Sequence, residues 1–451
     1  MTDVVVIGGG ITGLVAAREA TLAGATVTVV EPGPLGGTLR ASAFDGGVLD
    51  ESADAFLARV PEGVDLCQAL GLGGDLVSPA ERRAHVWSRG ALRRLPSAQV
   101  LGVPTDLEEL AEAGIVSPAG LAAARHDLEV PLLAPDGDVT IGSLIRARLG
   151  DEVAERLVDP LVGGINAGDT DALSLAATVP QIDAAARSGA SSLIAACQAQ
   201  RAAAPDPSAP VFFAPSGGMS ALTAALVSDL SSRGVDVRSA RASGIEPVDS
   251  RWQVTTDAGP LVADAVVVTT PAPVAAAVLR GAAGRAATLL AAIPYASVVM
   301  LSLAVDRDAI DRELDGSGFL VPRVEGLTLT ACSWTSAKWP HLHGDGTVWL
   351  RASVGRDGVP PAGPLEDVVL ADLATTMALR GTPREVRVSD WHDALPQYRV
   401  GHLERVEAID ADLATTMPGV TVAGAALRGL GVPACIRQGQ AAARRALAAR
   451  A

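Results

Sequence analysis

Three glycines near the N-terminus, Gly8-x-Gly10-x-x-Gly13, have the spacing of a backbone loop that binds phosphate. They lie between an apolar run and a helical pattern, which is the context that makes this spacing informative. The first glycine permits a tight turn, the second lets the backbone approach a pyrophosphate, and the third lets helix and strand pack closely. The helix N-terminus would face the anion. The pattern therefore predicts a dinucleotide-binding loop formed by Gly8, Gly9, Gly10, Ile11, Thr12 and Gly13.

An acidic residue and a second glycine pair follow this loop. The Glu31 carboxylate ends the next apolar run, where it is placed to accept hydrogen bonds from an adenosine ribose. The pair Gly36-Gly37 allows a second close approach of the backbone. A nicotinamide cofactor does not need this approach, whereas FAD extends onward from the first loop and does. The predicted contacts in this stretch are Glu31, Pro32, Gly36, Gly37, Thr38 and Arg40.

A glycine-rich turn near the C-terminus supports the same assignment. Gly424, Gly429 and Gly431 precede Val432-Pro433 and a helix predicted to begin at Ala434. Proline suits the first turn of a helix. A helix N-terminus directed at the flavin would stabilise the negative charge of its reduced form. Taken alone, this turn could also be a structural strand–turn–helix that closes the domain.

The sequence pattern around these loops predicts an α/β fold. Val4 to Ile7 predicts a buried parallel strand, followed by a helix from Ile11 to Ala23 and a strand from Ala25 to Val30. From Thr105 to Pro207 the pattern is helical, and Arg201 to Pro210 reads as a linker. Within the helical region, Ser143 is expected to cap a helix with a shared apolar face formed by Leu144, Ile145, Leu149, Val153 and Leu157.

Strand patterns return after a helix that follows Gly218. They cover Val235 to Arg238, Trp252 to Thr256, Leu261 to Thr270, Tyr295 to Val305, Gly318 to Pro322, Leu327 to Trp334, Val348 to Val354 and Val420 to Ala423. This order predicts a Rossmann-type FAD-binding domain built from the discontinuous segments 1–78, 208–280 and 402–451. An α+β substrate domain with a mixed sheet would comprise 79–104 and 281–401, and a helical subdomain 105–207.

The composition excludes several classes of protein. With 49% hydrophobic and 19% charged residues, the 451-residue chain is globular, and its net charge of −15 disfavours nucleic-acid binding. The four scattered cysteines indicate neither a disulfide framework nor a zinc site, and His341-x-His343 alone predicts no metal. No signal peptide and no apolar run of about 18 residues is recognised. A cytoplasmic protein is therefore expected.

Several longer stretches carry a resemblance to a known family. The chain resembles the bacterial porphyrinogen oxidases of haem synthesis, within the amine-oxidase-like flavoproteins. The matching stretches are Gly8 to Gly13, Asp54 to Arg59, Leu161 to Asp169, Ser216 to Met219, Trp334 to His341, Leu395 to His402 and Gly429 to Pro433. The Lys-Trp-Pro-His and Leu-Pro-Gln-Tyr-x-Val-Gly-His stretches are the specific ones.

The resemblance implies an FAD held without a covalent link. Besides the glycine loops, it implies contacts from Ser52, Ala53, Asp54, Ala55, the backbone of Ile245, Trp391, Gly424, Leu430, Gly431, Val432 and Pro433. It also implies that hydride moves from a porphyrinogen to flavin N5 in three two-electron steps, with O2 reoxidising the flavin and yielding peroxide. No dedicated catalytic acid or base is identified.

Coproporphyrinogen III is the substrate that the resemblance favours, with protoporphyrinogen IX as the alternative. The substrate carries several propionates, so some local basic cluster is required. The candidate substrate-binding residues are Arg83, Arg94, Asn166 and Lys338. Lys338, the only lysine, fits an ion pair better than a propionate contact, and Asn166 fits a turn with positive φ slightly better than a substrate contact. The next enzyme of haem synthesis would be a partner.

Two positions depart from the family pattern. Thr38 stands where relatives usually have Lys or Arg, for which Arg40 could substitute. Ser52-Ala53 replaces Gly-Pro and could crowd the flavin. Three rival functions remain, namely an amine oxidase, a carotenoid-type desaturase, and a non-catalytic porphyrin or flavin carrier. The strand Ala296 to Met300 lacks the lysine typical of amine oxidases, and no membrane-docking apolar helix supports a desaturase.

Overall fold

A five-stranded parallel sheet lies at the centre of the nucleotide-binding part. The structure, a computed structural model, describes residues 2–203, 209–342 and 346–449. Each pair of neighbouring strands in this sheet is parallel. The spatial order is Asp236–Arg238, Thr26–Val30, Asp3–Ile7, Ala265–Val268 and Val420–Val422. Because these strands come from three distant parts of the chain, the predicted assembly from discontinuous segments is confirmed.

Helices cover both faces of this sheet. Along its central strand, Val4 and Val6 point to one face, whereas Val5 and Ile7 point to the other, and all four are buried. One face packs against Ile11–Leu22, Met219–Ser232 and Val432–Ala448. The opposite face packs against Ala272–Leu279, Gly284–Ala291 and His402–Thr416. Burial on both sides explains the continuous apolar strands of the sequence, and the arrangement is the predicted Rossmann-type α/β fold.

A second, seven-stranded mixed sheet carries the other large part of the fold. All neighbouring strands are antiparallel except Gly318–Leu320 and His85–Ser88. Helix Leu365–Met377 packs against one face. The spatial order is Glu385–Pro396, Tyr295–Asp306, Thr347–Val354, Leu329–Trp334, Gly318–Leu320, His85–Ser88 and Ala91–Arg94. The strand Glu385–Pro396 was not predicted, because it is an edge strand with many charged residues rather than an apolar run.

Residues 105–203 are mostly helical, as predicted for this part of the chain. It contains Leu107–Ala113, Pro118–Arg125, Ile141–Leu149, Asp151–Val153, a π-helical stretch at Ala154–Gly163, Gly164–Asn166, Leu175–Thr178, Pro180–Ala186 and Leu193–Ala202. The five apolar residues predicted to share a face are all buried. The predicted cap was wrong, since the Thr140 hydroxyl accepts from the Ser143 backbone N–H and the helix begins at Ile141. Gly150, with φ +82°, interrupts what the sequence indicated as one helix.

Smaller elements connect these parts. Two hairpins are Ala41–Phe44 with Gly47–Asp50 and Gln99–Val100 with Val103–Pro104. Two three-stranded antiparallel sheets comprise Phe56–Leu57, Phe212–Pro215 and Leu76–Val77, and Ala242–Val248, Arg251–Thr256 and Leu261–Ala263. The remaining helices are Pro61–Ala69 and Thr335–Lys338. No helix of the described chain is long and apolar enough to cross a membrane.

Two predicted boundaries were wrong. The single strand expected from Leu261 to Thr270 is divided at Asp264, whose carboxylate accepts from the Asp3 backbone N–H at 2.8 Å. Its two halves belong to different sheets. The last helix begins at Val432, two residues before the predicted start. The predicted linker includes residues 204–208, which lie outside the described residues.

The first helix, Ile11–Leu22, and the last helix, Val432–Ala448, are in close backbone contact. Their facing surfaces carry buried alanines, among them Ala16 and Ala442. At the crossing, a Cβ on Gly439 would lie 2.4 Å from the Thr12 carbonyl oxygen. Only glycine therefore lets the two helices approach this closely.

We expect Gly439→Ala to lower the free energy of unfolding by about 1–3 kcal/mol, because the added methyl meets backbone that cannot move aside. Chemical denaturation of the purified protein measures this change. Gly284→Ala is the matched control, since its Cβ meets nothing within 4 Å at an exposed helix start. Equal stability of the two variants would contradict the proposed crossing.

Candidate active site

The three glycines of the N-terminal loop form a cradle with open space in front of it. Gly8 has φ +109°, and its N–H donates to the Val30 carbonyl at 2.9 Å. A Cβ on Gly13 would lie 1.9 Å from the Gly8 carbonyl oxygen, so helix and turn are in close contact. A Cβ on Gly10 would meet only Gly37 Cα, at 4.0 Å. Gly10 caps the helix without a side-chain hydrogen bond, leaving its first N–H groups to an anion.

The second glycine pair packs directly against this cradle. The Gly36 N–H donates to the Gly9 carbonyl at 2.8 Å, and Gly37 has φ +61°. The Glu31 carboxylate accepts from the Gly9 N–H at 2.7 Å and from the Gly33 N–H at 2.9 Å. Its orientation is therefore set by the loop backbone. The two glycine segments and the acidic residue, which the sequence predicted to act together, are adjacent.

A buried tyrosine and histidine hold the C-terminal glycine turn. The Tyr398 hydroxyl donates to the Ala425 carbonyl and accepts from the Gly429 N–H at 2.9 Å. Its ring stacks on His402 at 4.1 Å, and His402 Nε2 contacts the Leu427 carbonyl at 2.8 Å. Burial raises the pKa of Tyr398 and lowers that of His402, so both side chains stay neutral. The Leu-Pro-Gln-Tyr signature thus positions this turn beside the N-terminus of the last helix.

These loops open into one cavity of about 630 Å3 that all three predicted domains line. Fourteen residues of the predicted cofactor set line it: Gly8, Gly10, Ile11, Thr12, Glu31, Gly36, Gly37, Thr38, Ser52, Ala53, Trp391, Gly424, Leu430 and Val432. Predicted residues that do not line it are Gly9, Gly13, Pro32, Arg40, Asp54, Ala55, Ile245, Gly431 and Pro433. The backbone of Ile245 is paired with Val254 in the small antiparallel sheet. A cavity reached by two helix N-termini without side-chain caps, at Gly10 and Gly431, fits a dinucleotide.

The two departures from the family pattern are linked to each other. The Ser52 hydroxyl donates to the Thr38 carbonyl, so it is directed at the neighbouring loop. The Ser52 carbonyl in turn accepts from the Arg351 guanidinium. Both Thr38 and Ser52 line the cavity. Ser52 therefore ties together two segments of the cavity wall.

Arg40 supports a cavity residue without lining the cavity itself. Its guanidinium pairs with Glu51 at 2.7 Å and lies 4.7 Å from the centre of the Trp391 ring. Trp391 Nε1 donates to the Glu51 carbonyl at 3.1 Å. Arg40 thus holds the ring of Trp391, which does line the cavity.

An ion pair near the cavity wall joins helix Thr335–Lys338 to the loop that precedes strand Phe56–Leu57. Lys338 Nζ lies 2.8 Å from Asp54 Oδ2, and Trp339 Nε1 donates to the same oxygen at 3.1 Å. Burial would raise the pKa of Asp54, but Lys338 and Arg351 outweigh it and hold that pKa well below its usual value. The Lys-Trp-Pro-His signature thus anchors the segment that begins at Ser52.

None of the four predicted substrate residues lines the cavity in the described structure. Arg83 pairs with Glu81 at 3.1 Å, Arg94 is exposed, and Lys338 is directed to Asp54. Asn166 Nδ2 donates to the Val162 carbonyl at 2.8 Å. The positive φ expected at Asn166 belongs instead to Ala167, at +47°.

Sequence reasoning missed the two arginines that do line the cavity, Arg351 and Arg356. Arg351 interrupts the apolar strand Thr347–Val354, and a charge inside such a strand was the available signal. No group of three or more His, Cys, Asp or Glu side chains suited to a metal occurs among the described residues. His343 is not among them.

The fold and the cavity together define a flavin-dependent oxidoreductase. A model of the flavin containing amine oxidoreductase family matches residues 11–447, and the chain belongs to this family. Its cofactor is FAD, which the glycine cradles and helix N-termini described above fit.

More specific similarity extends over the whole chain. It is 34% identical to coproporphyrinogen III oxidase from Bacillus subtilis, covering 97% of this chain and 96% of that protein. The corresponding enzyme from Mycobacterium leprae is 35% identical, covering 96% and 95%. The crystal structure of a candidate protoporphyrinogen oxidase from Exiguobacterium sp. 255-15 superposes with a TM-score of 0.87 at 30% identity, covering 98% of each chain.

We expect Gly10→Val to fold but not to retain FAD. Gly10 has φ −74° and ψ 178°, which valine adopts, and a Cβ there would fill the cradle while lying 4.0 Å from Gly37 Cα, an ordinary van der Waals distance. The purified variant should lack visible flavin absorbance, with an apo-protein free energy of unfolding within about 1 kcal/mol of the wild type. Gly74→Val, at an exposed glycine with nothing within 4 Å, is the control and should stay yellow. A yellow Gly10→Val protein would contradict the assignment of the cradle.

Replacing Lys338 by Met should destabilise the protein in a pH-dependent way. At pH 7 we expect the free energy of unfolding to fall by about 2 kcal/mol, because the negative charge of Asp54 loses its nearest positive partner. The loss is moderate because both side chains are partly exposed to solvent. The pKa of Asp54 is lower in the folded state, so its stabilisation is present above the unfolded pKa of about 4 and is lost as pH falls further. The difference between wild type and variant should therefore narrow below about pH 4.

Denaturation curves recorded from neutral to acidic pH test this expectation. Arg380→Met, which breaks the exposed Arg380–Asp311 pair, is the control and should cost at most about 0.5 kcal/mol. A Lys338→Met difference that is the same at every pH would show that the ion pair is not its cause.

Proposed function

We propose that the protein oxidises coproporphyrinogen III to coproporphyrin III. The observation that carries this proposal is one cavity that joins the FAD loops to walls from the seven-stranded sheet and the helical region. The similarity to the coproporphyrinogen III oxidases of Bacillus subtilis and Mycobacterium leprae covers nearly the whole chain and supports it. Removing six electrons and six hydrogens in three steps, with three O2 reduced to three H2O2, balances the reaction.

The chain's own residues position the substrate and exclude water. FAD, when bound, supplies the two-electron acceptor. Apolar side chains on the mixed sheet form the wall, including Val298, Met300 and Leu395. The described cavity lining contains no histidine or lysine, and both of its carboxylates have partners. Asp159 accepts from the Thr170 hydroxyl at 3.0 Å and pairs with Arg323 at 3.3 Å, and Glu31 accepts from backbone N–H groups of its own loop. Catalysis by orientation rather than by a dedicated base follows from this wall.

FAD is bound without a covalent link in this proposal. Cys435 lines the cavity at the N-terminus of the last helix. Burial raises the pKa of its thiol to about 11. The thiol therefore stays protonated at neutral pH and is a poor nucleophile.

Protoporphyrinogen IX is the second candidate substrate, which the likeness to the Exiguobacterium structure favours. An amine oxidase is less well supported. The aromatic cage that amine oxidases build from two tyrosines is not formed here. Tyr295 lines the cavity, whereas Tyr398 is stacked on His402 and hydrogen-bonded to the C-terminal turn. We further propose that the enzyme works in the cytoplasm and passes its product to the next enzyme of haem synthesis.

Purified protein should convert colourless coproporphyrinogen III into a fluorescent porphyrin faster than autoxidation, with one H2O2 formed per two electrons. Protoporphyrinogen IX should react more slowly under the same conditions. The Gly10→Val variant is the control for flavin dependence and should show only autoxidation. A yellow protein without rate above autoxidation would favour a carrier, and equal rates with both substrates would refute the substrate preference.

A further inference from the structure

Two cations line the cavity within the described chain, and they differ in how their charge is compensated. Arg351 is buried, donates to the Ser52 carbonyl, and lies in the field of the carboxylates Asp50 and Asp54. Groups of the protein itself therefore balance the charge of Arg351. Arg356 also lies in the field of two carboxylates, Asp159 and Asp169, but Asp159 is already paired with Arg323.

Arg356 has no carboxylate within ion-pair distance in the described part of the chain. Its one side-chain hydrogen bond is a long one, 3.4 Å, to the Val321 carbonyl. The neighbouring Arg323 pairs with Asp159 at 3.3 Å and donates to the Gly168 carbonyl at 2.6 Å. Burial first, and Arg323 second, lower the pKa of Arg356, and the weaker effects of Asp159 and Asp169 oppose them. A half-buried guanidinium beside another cation is unfavourable unless an anion joins it.

The backbone around Arg356 is held in place. Gly355 has φ +101°, and a Cβ there would lie 2.6 Å from the Ser297 carbonyl oxygen. The backbone of Arg356 and Val359 exchanges two hydrogen bonds, of 3.1 and 2.8 Å. The Asp357 N–H donates to the Ala167 carbonyl at 2.6 Å. A fixed backbone lowers the entropic cost of ordering the guanidinium around a ligand.

We propose that Arg356 binds a carboxylate side chain of the substrate. The inference rests on the proposed function, because coproporphyrinogen III carries propionates. A guanidinium matches a carboxylate with two parallel N–H···O bonds, which a lysine cannot provide. In a chain with net charge −15, an anionic substrate needs such a local cation. Arg356 therefore takes the role that the sequence assigned to Arg83 and Arg94.

The test measures product binding to the FAD-loaded protein, so it does not depend on turnover. Coproporphyrin III and its uncharged tetramethyl ester are titrated while porphyrin fluorescence is recorded. For Arg356→Gln we expect coproporphyrin III to bind at least about 10-fold more weakly, and the ester to bind as it does to the wild type. The affinity of Arg356→Lys for coproporphyrin III should lie between those of the wild type and Arg356→Gln. Arg285→Gln, at an exposed helical arginine, is the control and should bind both ligands normally.

Steady-state kinetics provide a second readout. Because the contact is made in both the ground state and the transition state, Arg356→Gln should raise KM for coproporphyrinogen III and leave kcat within about twofold. Should Arg356→Gln not fold, Arg356→Lys carries the same comparison, since it keeps the charge and loses the paired donors.

The outcomes separate this inference from the proposed function. Unchanged affinity and KM in Arg356→Gln, with an active wild type, overturn the role of Arg356 alone. Loss of FAD from Arg356→Gln also overturns it, because the side chain would then serve the cofactor. A wild type that neither binds coproporphyrin III nor oxidises its porphyrinogen overturns both.

Discussion

The contact between two glycine segments is the constraint on which the site depends. Gly10 and Gly37 approach so closely that a Cβ on Gly37 would lie 3.0 Å from Gly10 Cα. Backbone N–H groups can face a phosphate only where no side chain covers them. Holding two such segments together requires the central sheet beneath the first loop and the carboxylate of Glu31, which receives the Gly9 N–H. The seven-stranded sheet and the helical region supply the other walls of the cavity.

The residues most specific to the family act through position rather than chemistry. Tyr398 and His402 hold the C-terminal turn, while Lys338 and Trp339 hold Asp54 and the segment before it. The hydrogen bonds of these side chains reach partners distant in sequence, and a change of residue type at either end would leave a buried polar group unpaired. The reacting region itself is lined mainly by small and apolar side chains. This division suits a reaction driven by orientation beside a cofactor.

Local patterns predicted the parallel strands, the first helix and the glycine loops, because the information for each lies within a few residues. The edge strand Glu385–Pro396 was missed because its role comes from its neighbour Tyr295–Asp306, not from its own composition. Lys338 meets a partner 284 residues away, and no local pattern identifies it. Arg351 interrupts an apolar strand, which is a local signal, but only the tertiary structure brings Arg351 and Arg356 to the cavity. Ala167 takes the left-handed conformation in place of Asn166, since its backbone is fixed by contacts with the turn after Gly355.

The crossing of the first and last helices has a consequence for how the molecule is made. Thr12 and Gly439 are synthesised at opposite ends of the described chain, yet they are in contact. During synthesis, the alanine face of the first helix therefore has no partner until nearly all other elements have left the ribosome. Such non-local pairing slows folding and leaves an apolar surface open to aggregation. Because the turn before the last helix also lines the cavity, the cofactor site is complete only once that helix has been made.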